Sequence, residues 1–229
     1  TVGYHLIESD SNVTGSVAVF VDHTGERSMV SGHGADFDLL PSEIPRDVIA
    51  AARHLHLTAW SFFTDPPRSA AGLVKASGGT LSFDPGSFQM IEEVGVDHFL
   101  SVTRDLGIDV FLPNKEEGAV LTGATDPIDI ARELDALYPS ALVVLKLDAD
   151  GALVWQAGEA HHIPPATSKL VDATGAGDSF AGAFLARYLG GASAVEAARC
   201  ATAISAWVIQ HPGARAAPDA RLWSVLAGN

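Results

Sequence analysis

From about residue 41 the chain alternates short apolar, β-branched runs with segments whose apolar residues recur at helical spacing, and this alternation limits the fold more than any other feature. Residues 54–58, 80–84, 109–112 and 142–147 read as strands with helix-like segments between them. Such an order requires a parallel sheet covered by helices. Leu142-Val143-Val144-Leu145 is apolar without interruption, which marks a strand buried on both faces and places it at the sheet centre. Residues 152–156 and 160–163 flank Ala157-Gly158-Glu159 and read as a hairpin that Pro164-Pro165 ends. The remainder is mainly helical, over 177–190, 193–210 and 218–226, the last stopping before Gly228. The fold class expected is α/β, with a mostly parallel twisted sheet between helical layers.

The first forty residues differ. Residues 16–22 and 27–31 are rich in Val and Phe around His23-Thr24-Gly25-Glu26, a β-hairpin signal, and Val2 to Ile7 supplies a candidate third strand. No strand–helix unit precedes this hairpin, so a further N-terminal part is expected beyond the sequence.

With 229 residues, 47% apolar and 18% charged, the chain has material for one large core. The net charge of −14 argues against nucleic acid as a partner, because that requires clustered Lys and Arg, but it leaves room for one local nucleotide site. Cys200 is the single cysteine, which rules out an intramolecular disulfide and suits a reducing cytoplasm. No apolar run approaches the roughly 18 residues that span a bilayer, so no membrane partner is expected.

Chemistry concentrates at Asp172-Ala173-Thr174-Gly175-Ala176-Gly177-Asp178, between a strand-like Lys169-Leu170-Val171 and a helix opening at Ser179-Phe180. With little bulk at Gly175, Ala176 and Gly177, successive backbone N–H groups can converge on one anion, and the helix dipole adds positive potential. This reads as an anion hole without a lysine. A carboxylate at its rim repels phosphate, so Asp178 makes sense as a base that takes the proton of an attacking hydroxyl. The plainer alternative is a tight turn whose aspartates cap backbone donors.

The whole pattern, Asp-x-x-Gly-Ala-Gly-Asp, resembles the signature of the ribokinase-like (PfkB) carbohydrate kinases, and the likeness runs from residue 15 to the C-terminus. It implies an ATP-dependent sugar kinase with magnesium, a three-layer ribokinase-like core over residues 36–229 and a small β lid over residues 1–35. Asn114-Lys115-Glu116-Glu117 looks like the family's Asn-x-x-Glu segment, making Asn114 and Glu117 candidates to organise magnesium, although the same spacing is a capping box. Thr24-Gly25-Glu26-Arg27 resembles the lid strands over the sugar, and Arg27 is carried as a substrate candidate. Lys146 and Asp148 lie in a segment that meets the nucleotide. Asp148 stands where the family has Gly, so its charge needs Lys146 or a cation to offset it. Thr202 falls where many members place an Asn at the nucleotide, and Gly213-Ala214 matches the loop beside adenine and a monovalent cation. Asp172 corresponds to a residue beside that cation in potassium-activated members. The resemblance also implies a homodimer through the lid. Its early Asp and Gly-Gly-Asn, which grip the sugar, have no counterpart here, so the sugar itself stays open.

Other residues carry weaker readings. Asp84-Pro85-Gly86 ends a strand on the side where α/β ligands gather, which makes Asp84 a substrate candidate. His54 and His56 are expected on opposite sides of their strand, unable to share a metal, and Trp60, Phe62 and Phe63 are expected in the core. A dinucleotide-dependent oxidoreductase competes through Gly175-x-Gly177, but Phe180 occupies the third glycine position. A non-catalytic sugar-binding protein on the same fold competes too, and Asp178 argues against it.

Overall fold

A computed structural model describes residues 3, 6–23, 27–35, 38–59 and 65–227, without the side chains of Arg27, Asp65, Pro66, Arg221 and 225–227. Strands β1 (Ser16–Val21) and β2 (Arg27–Gly32) form a separate antiparallel pair, from Ser16 opposite Gly32 to Val21 opposite Arg27. Of the expected turn, Thr24, Gly25 and Glu26 lie outside the described residues, as do Val2, Tyr4 and His5 of the expected third strand and all of Trp60, Phe62 and Phe63. Leu6 and Ile7 are not in a strand.

The larger unit alternates as the sequence requires: α1 (Arg46–Ala51), β3 (His54–Thr58), α2 (Asp65–Ala76), β4 (Thr80–Asp84), α3 (Phe88–Val94), α4 (Val96–Thr103), β5 (Val110–Phe111), α5 (Lys115–Thr122), α6 (Pro127–Leu137), β6 (Leu142–Lys146), β7 (Ala152–Gln156), β8 (Glu159–Ile163), α7 (Ala176–Leu189), α8 (Ala194–Val208) and α9 (Ala220–Ala227). The sheet runs β3-β4-β5-β6-β7-β8, parallel through β6 and antiparallel thereafter. β6 is an inner strand and its middle residues are fully buried, as its apolar run predicts.

Alternation along the strands divides the core into two. On one face Leu57, Leu81, Phe83, Phe111, Val143 and Leu145 pack with residues of α3 to α6 such as Ile91, Phe99, Ile130 and Leu134. On the other, Val110, Val144, Val154 and Ile163 pack against Phe180, Phe184 and Leu185 of α7 and Ala197, Ala198 and Ala201 of α8. Complete burial of a side chain like Phe184 is worth about 2 kcal/mol or more. Alanines along α8 let it approach α7 closely, and Ser193 and Glu196 close a capping box at its start.

Three expectations need correction. The strand expected over 109–112 is reduced to Val110–Phe111, with Asp109 and Leu112 still donating to the Leu81 and Phe83 carbonyls. Lys169-Leu170-Val171 is not a strand: the Val171 and Asp172 amides both donate to the Ile209 carbonyl at the end of α8, so this segment pairs with a helix terminus. His54 and His56 lie on one face of β3, as the two-residue period of a strand demands, and both reach Ser82 of β4.

Candidate active site

The first turn of α7 is set by its N-cap. Gly175 has φ 81°, a left-handed conformation, and a Cβ there would lie 2.9 Å from the Cα and Cβ of Ala214. Only glycine meets both conditions without strain. The Ala176 amide donates to Ala173 at 3.2 Å, and among the described residues the N–H groups of Gly175, Gly177 and Asp178 have no acceptor. These orphan donors at a helix start form the anion site expected from the sequence, less the one amide that closes the turn. Ser179 and Ser205 both donate to the Ala176 carbonyl at 3.0 Å, so α8 holds the turn in place. Asp178, in the same turn, is exposed.

Lys146 changes the picture of a hole without lysine. Its ammonium lies 3.6 Å from where a Gly177 Cβ would stand. It donates to Asp84 Oδ2 at 2.6 Å in a pair with side chains only 13% and 9% exposed. Asp84 Oδ1 accepts from the Gly86 amide, which fixes the carboxylate at the end of β4. Lys146 therefore sits between the turn and Asp84, with which it pairs. Asp148 has φ 51°, a left-handed conformation that Asp is among the few side chains to tolerate.

Asn114 and Glu117 cap α5 reciprocally: the Asn114 amide donates to Glu117 Oε2 at 2.7 Å and the Glu117 amide to Asn114 Oδ1 at 2.8 Å. Glu117 is fully buried, and burial pushes its carboxyl up to about 7, against the pull of Lys146 and with a further push from Asp84. Asn114 also bridges in parallel to Lys146, which brings this motif to the same strand end.

Asp172 and Gly213, distant in sequence, meet: Asp172 Oδ2 accepts from the Gly213 amide at 2.7 Å, while Oδ1 accepts from Thr174 at 2.8 Å. Thr174 Oγ1 in the same loop is buried without a partner among the described residues. Thr202 is buried and its hydroxyl donates to Ala198 within α8, so its one proton is spent inside the helix. For Arg27 only the backbone, in β2, is described.

The structure thus gathers Asp84, Asn114, Glu117, Lys146, Gly175, Gly177 and Asp178 at the C-terminal ends of parallel strands. Sequence reasoning missed His56, whose imidazole feels the charges of Asp84, Lys146 and Asp178. The two-residue alternation of His54 and His56 in one strand, with Thr80 and Ser82 alternating in the next, was the available signal.

A profile of the pfkB family carbohydrate kinases matches residues 4–221. The chain is 29% identical over 204 residues to a sugar kinase of Archaeoglobus fulgidus, covering 88% of this chain and 79% of the relative. It is 29% identical over 226 residues to the ATP-dependent ribose-1-phosphate kinase of Halopiger xanaduensis, covering 95% and 68%. In structure it is similar to a probable sugar kinase protein from Rhizobium etli CFN 42, with TM-score 0.84, 24% identity and coverage of 94% of this chain and 66% of that one. Such agreement over nearly its whole length removes the dinucleotide-oxidoreductase reading, and the chain belongs to the pfkB family of carbohydrate kinases.

Proposed function

We propose that this protein transfers the γ-phosphoryl group of ATP to a sugar hydroxymethyl oxygen, with Asp178 as general base and the turn at Gly175, Ala176 and Gly177 as anion hole. What supports this most is the sharing of one helical turn by an accessible carboxylate and unpartnered amides, with the Lys146 ammonium beside them. The hydroxyl gives its proton to the Asp178 carboxylate as its oxygen bonds to the γ-phosphorus, and the bond from that phosphorus to the bridging oxygen breaks to release ADP. The amides and Lys146 hold the charge on the transferring oxygens, already oriented before the reaction. Asp148 and Gly213 flank the nucleotide, and Thr202 lines the helix beneath it.

Magnesium fits as a cation held mainly by phosphate and water. Among the described residues no group of three His, Cys, Asp or Glu side chains could hold a metal, and Mg²⁺ commonly takes only one or two carboxylates plus phosphate oxygens. Glu117, oriented by Asn114, is the carboxylate near that position. A monovalent cation such as potassium suits the Asp172 loop, where Thr174 Oγ1 has no partner. Residues 1–35 act as the lid over a core of 36–229, with Arg27 a substrate contact, and the exposed apolar face of β1 and β2 pairs two copies of the chain. A single thiol and the absence, among the described residues, of a helix able to cross a membrane are compatible with a cytoplasmic setting.

Asp178→Asn tests the base. The expected loss in kcat is about 10²- to 10⁴-fold with ATP affinity near wild type, read by coupled ADP release over a sugar panel. Wild-type turnover in that variant removes Asp178 from the mechanism. Sugar binding by the wild type without any turnover identifies the non-catalytic reading instead.

A further inference from the structure

On the face of β3 and β4 turned away from Leu57, Leu81 and Phe83 the residues are polar: His54, His56 and Thr58 stand beside Thr80, Ser82 and Asp84. A chain of hydrogen bonds crosses it. Thr80 Oγ1 donates to the Arg53 carbonyl at 3.3 Å and lies 2.8 Å from His54 Nδ1. His54 Nε2 is 2.8 Å from Ser82 Oγ, which is 2.7 Å from His56 Nδ1. Ser82 is fully buried, so its hydroxyl has no water to complete it.

The Arg53 carbonyl can only accept, so a Thr80 hydroxyl proton directed to it gives the rest of the chain one polarity. With the Thr80 proton directed to Arg53, His54 Nδ1–H donates to Thr80 and His54 Nε2 accepts the Ser82 proton. Ser82 Oγ then accepts from His56 Nδ1–H, which leaves His56 Nε2 as an unprotonated acceptor. His56 makes no other hydrogen bond among the described residues, and it is half-buried beside Asp84, Lys146 and Asp178. Burial also lowers the imidazole's basicity, in keeping with a neutral ring.

We infer that His56 Nε2 is a specificity contact that accepts a hydrogen bond from a hydroxyl of the acceptor substrate, and that the wire from Thr80 through His54 and Ser82 holds it in that state. This rests on the kinase reading above and names the substrate class: an uncharged polyhydroxyl compound, a free sugar or nucleoside, and not a sugar phosphate. A phosphate dianion has no proton to offer the lone pair, and at His56 it would meet the negative charges of Asp84 and Asp178.

Two measurements test it. The ¹⁵N spectrum of the protein at neutral pH should show His56 as the Nδ1–H tautomer, whereas an Nε2–H tautomer or an imidazolium overturns the assignment. Calorimetry without ATP, over free sugars, nucleosides and their phosphates, should give binding of a neutral compound. His56→Phe and His56→Asn should weaken that binding about tenfold, the loss of one hydrogen bond with its partner left bare, while His56→Gln, whose Oε1 stands near the place of Nε2, keeps most of it. Circular dichroism confirms that each variant is folded. Wild-type affinity in His56→Phe, preference for a sugar phosphate, or failure of every neutral compound to bind overturns the inference. Because binding is measured apart from turnover, failure of the kinase reading shows separately, as sugar binding that depends on His56 together with no ADP release in the coupled assay.

Discussion

At the scale of single residues, two buried charges set the site's electrostatics. The Lys146–Asp84 pair is nearly dry, so Lys146→Met strands a carboxylate and should cost about 3 kcal/mol of stability, as for other broken buried pairs. Asp84→Asn with Lys146→Met should recover most of this in chemical denaturation but not the turnover, since the ammonium beside Gly177 is gone. A double variant no more stable than the single one would show that the pair is not energetically coupled. Glu117 works in the opposite sense. Its carboxyl, at about 7, lies above the unfolded value, so the folded protein binds more protons between the two, and stability falls as pH rises through that window. In magnesium-free buffer, Glu117→Gln should therefore gain in melting temperature over wild type from about pH 5 to pH 8. Parallel melting curves across that range would contradict the burial effect. Asn114 and Glu117 were legible from spacing alone because a capping box is local, but Glu117's burial was not, since it depends on what packs over α5.

At the scale of elements, the start of α7 shows what local sequence can and cannot specify. Gly175 was legible as a turn residue, and its left-handed φ agrees. That the turn is also pressed against Ala214 comes from the distant 213–214 loop. Gly175→Ala should accordingly cost about 1–3 kcal/mol in strain and raise the KM for ATP, because the displaced turn no longer presents its amides together. An unchanged melting temperature would mean that the loop yields. Lys169-Leu170-Val171 failed as a strand for a related reason: the Val171 and Asp172 amides donate to the Ile209 carbonyl at the end of α8, a partner almost forty residues away, while the Leu170 and Val171 side chains stay exposed. His54 and His56 were misplaced on opposite faces although strand geometry alone puts residues two apart on the same one.

At the scale of the whole molecule, two apolar faces stabilise the sheet, while its polar strip and C-terminal ends carry the candidate chemistry. The β1–β2 sheet stands apart from this economy, with Phe20 63% and Val30 64% exposed. On the pairing proposed for this face, Phe20→Glu with Val30→Glu should leave unfolding of the core unchanged and abolish dimers in sedimentation. Equal sedimentation of variant and wild type would assign the face to another role. The order of strands and helices, the buried β6, the caps of α5 and α8 and the glycine turn before α7 were all determined by the sequence alone, because each depends on periodicity or on residues within a few positions of one another. Only the tertiary structure decided that Lys146 joins Asp84 beside Gly177, that Asp172 meets Gly213, and that His56 comes within reach of the charges of Asp84, Lys146 and Asp178, because these approaches link residues from different strands and loops, and the approach of charges across a sheet leaves no period in the chain.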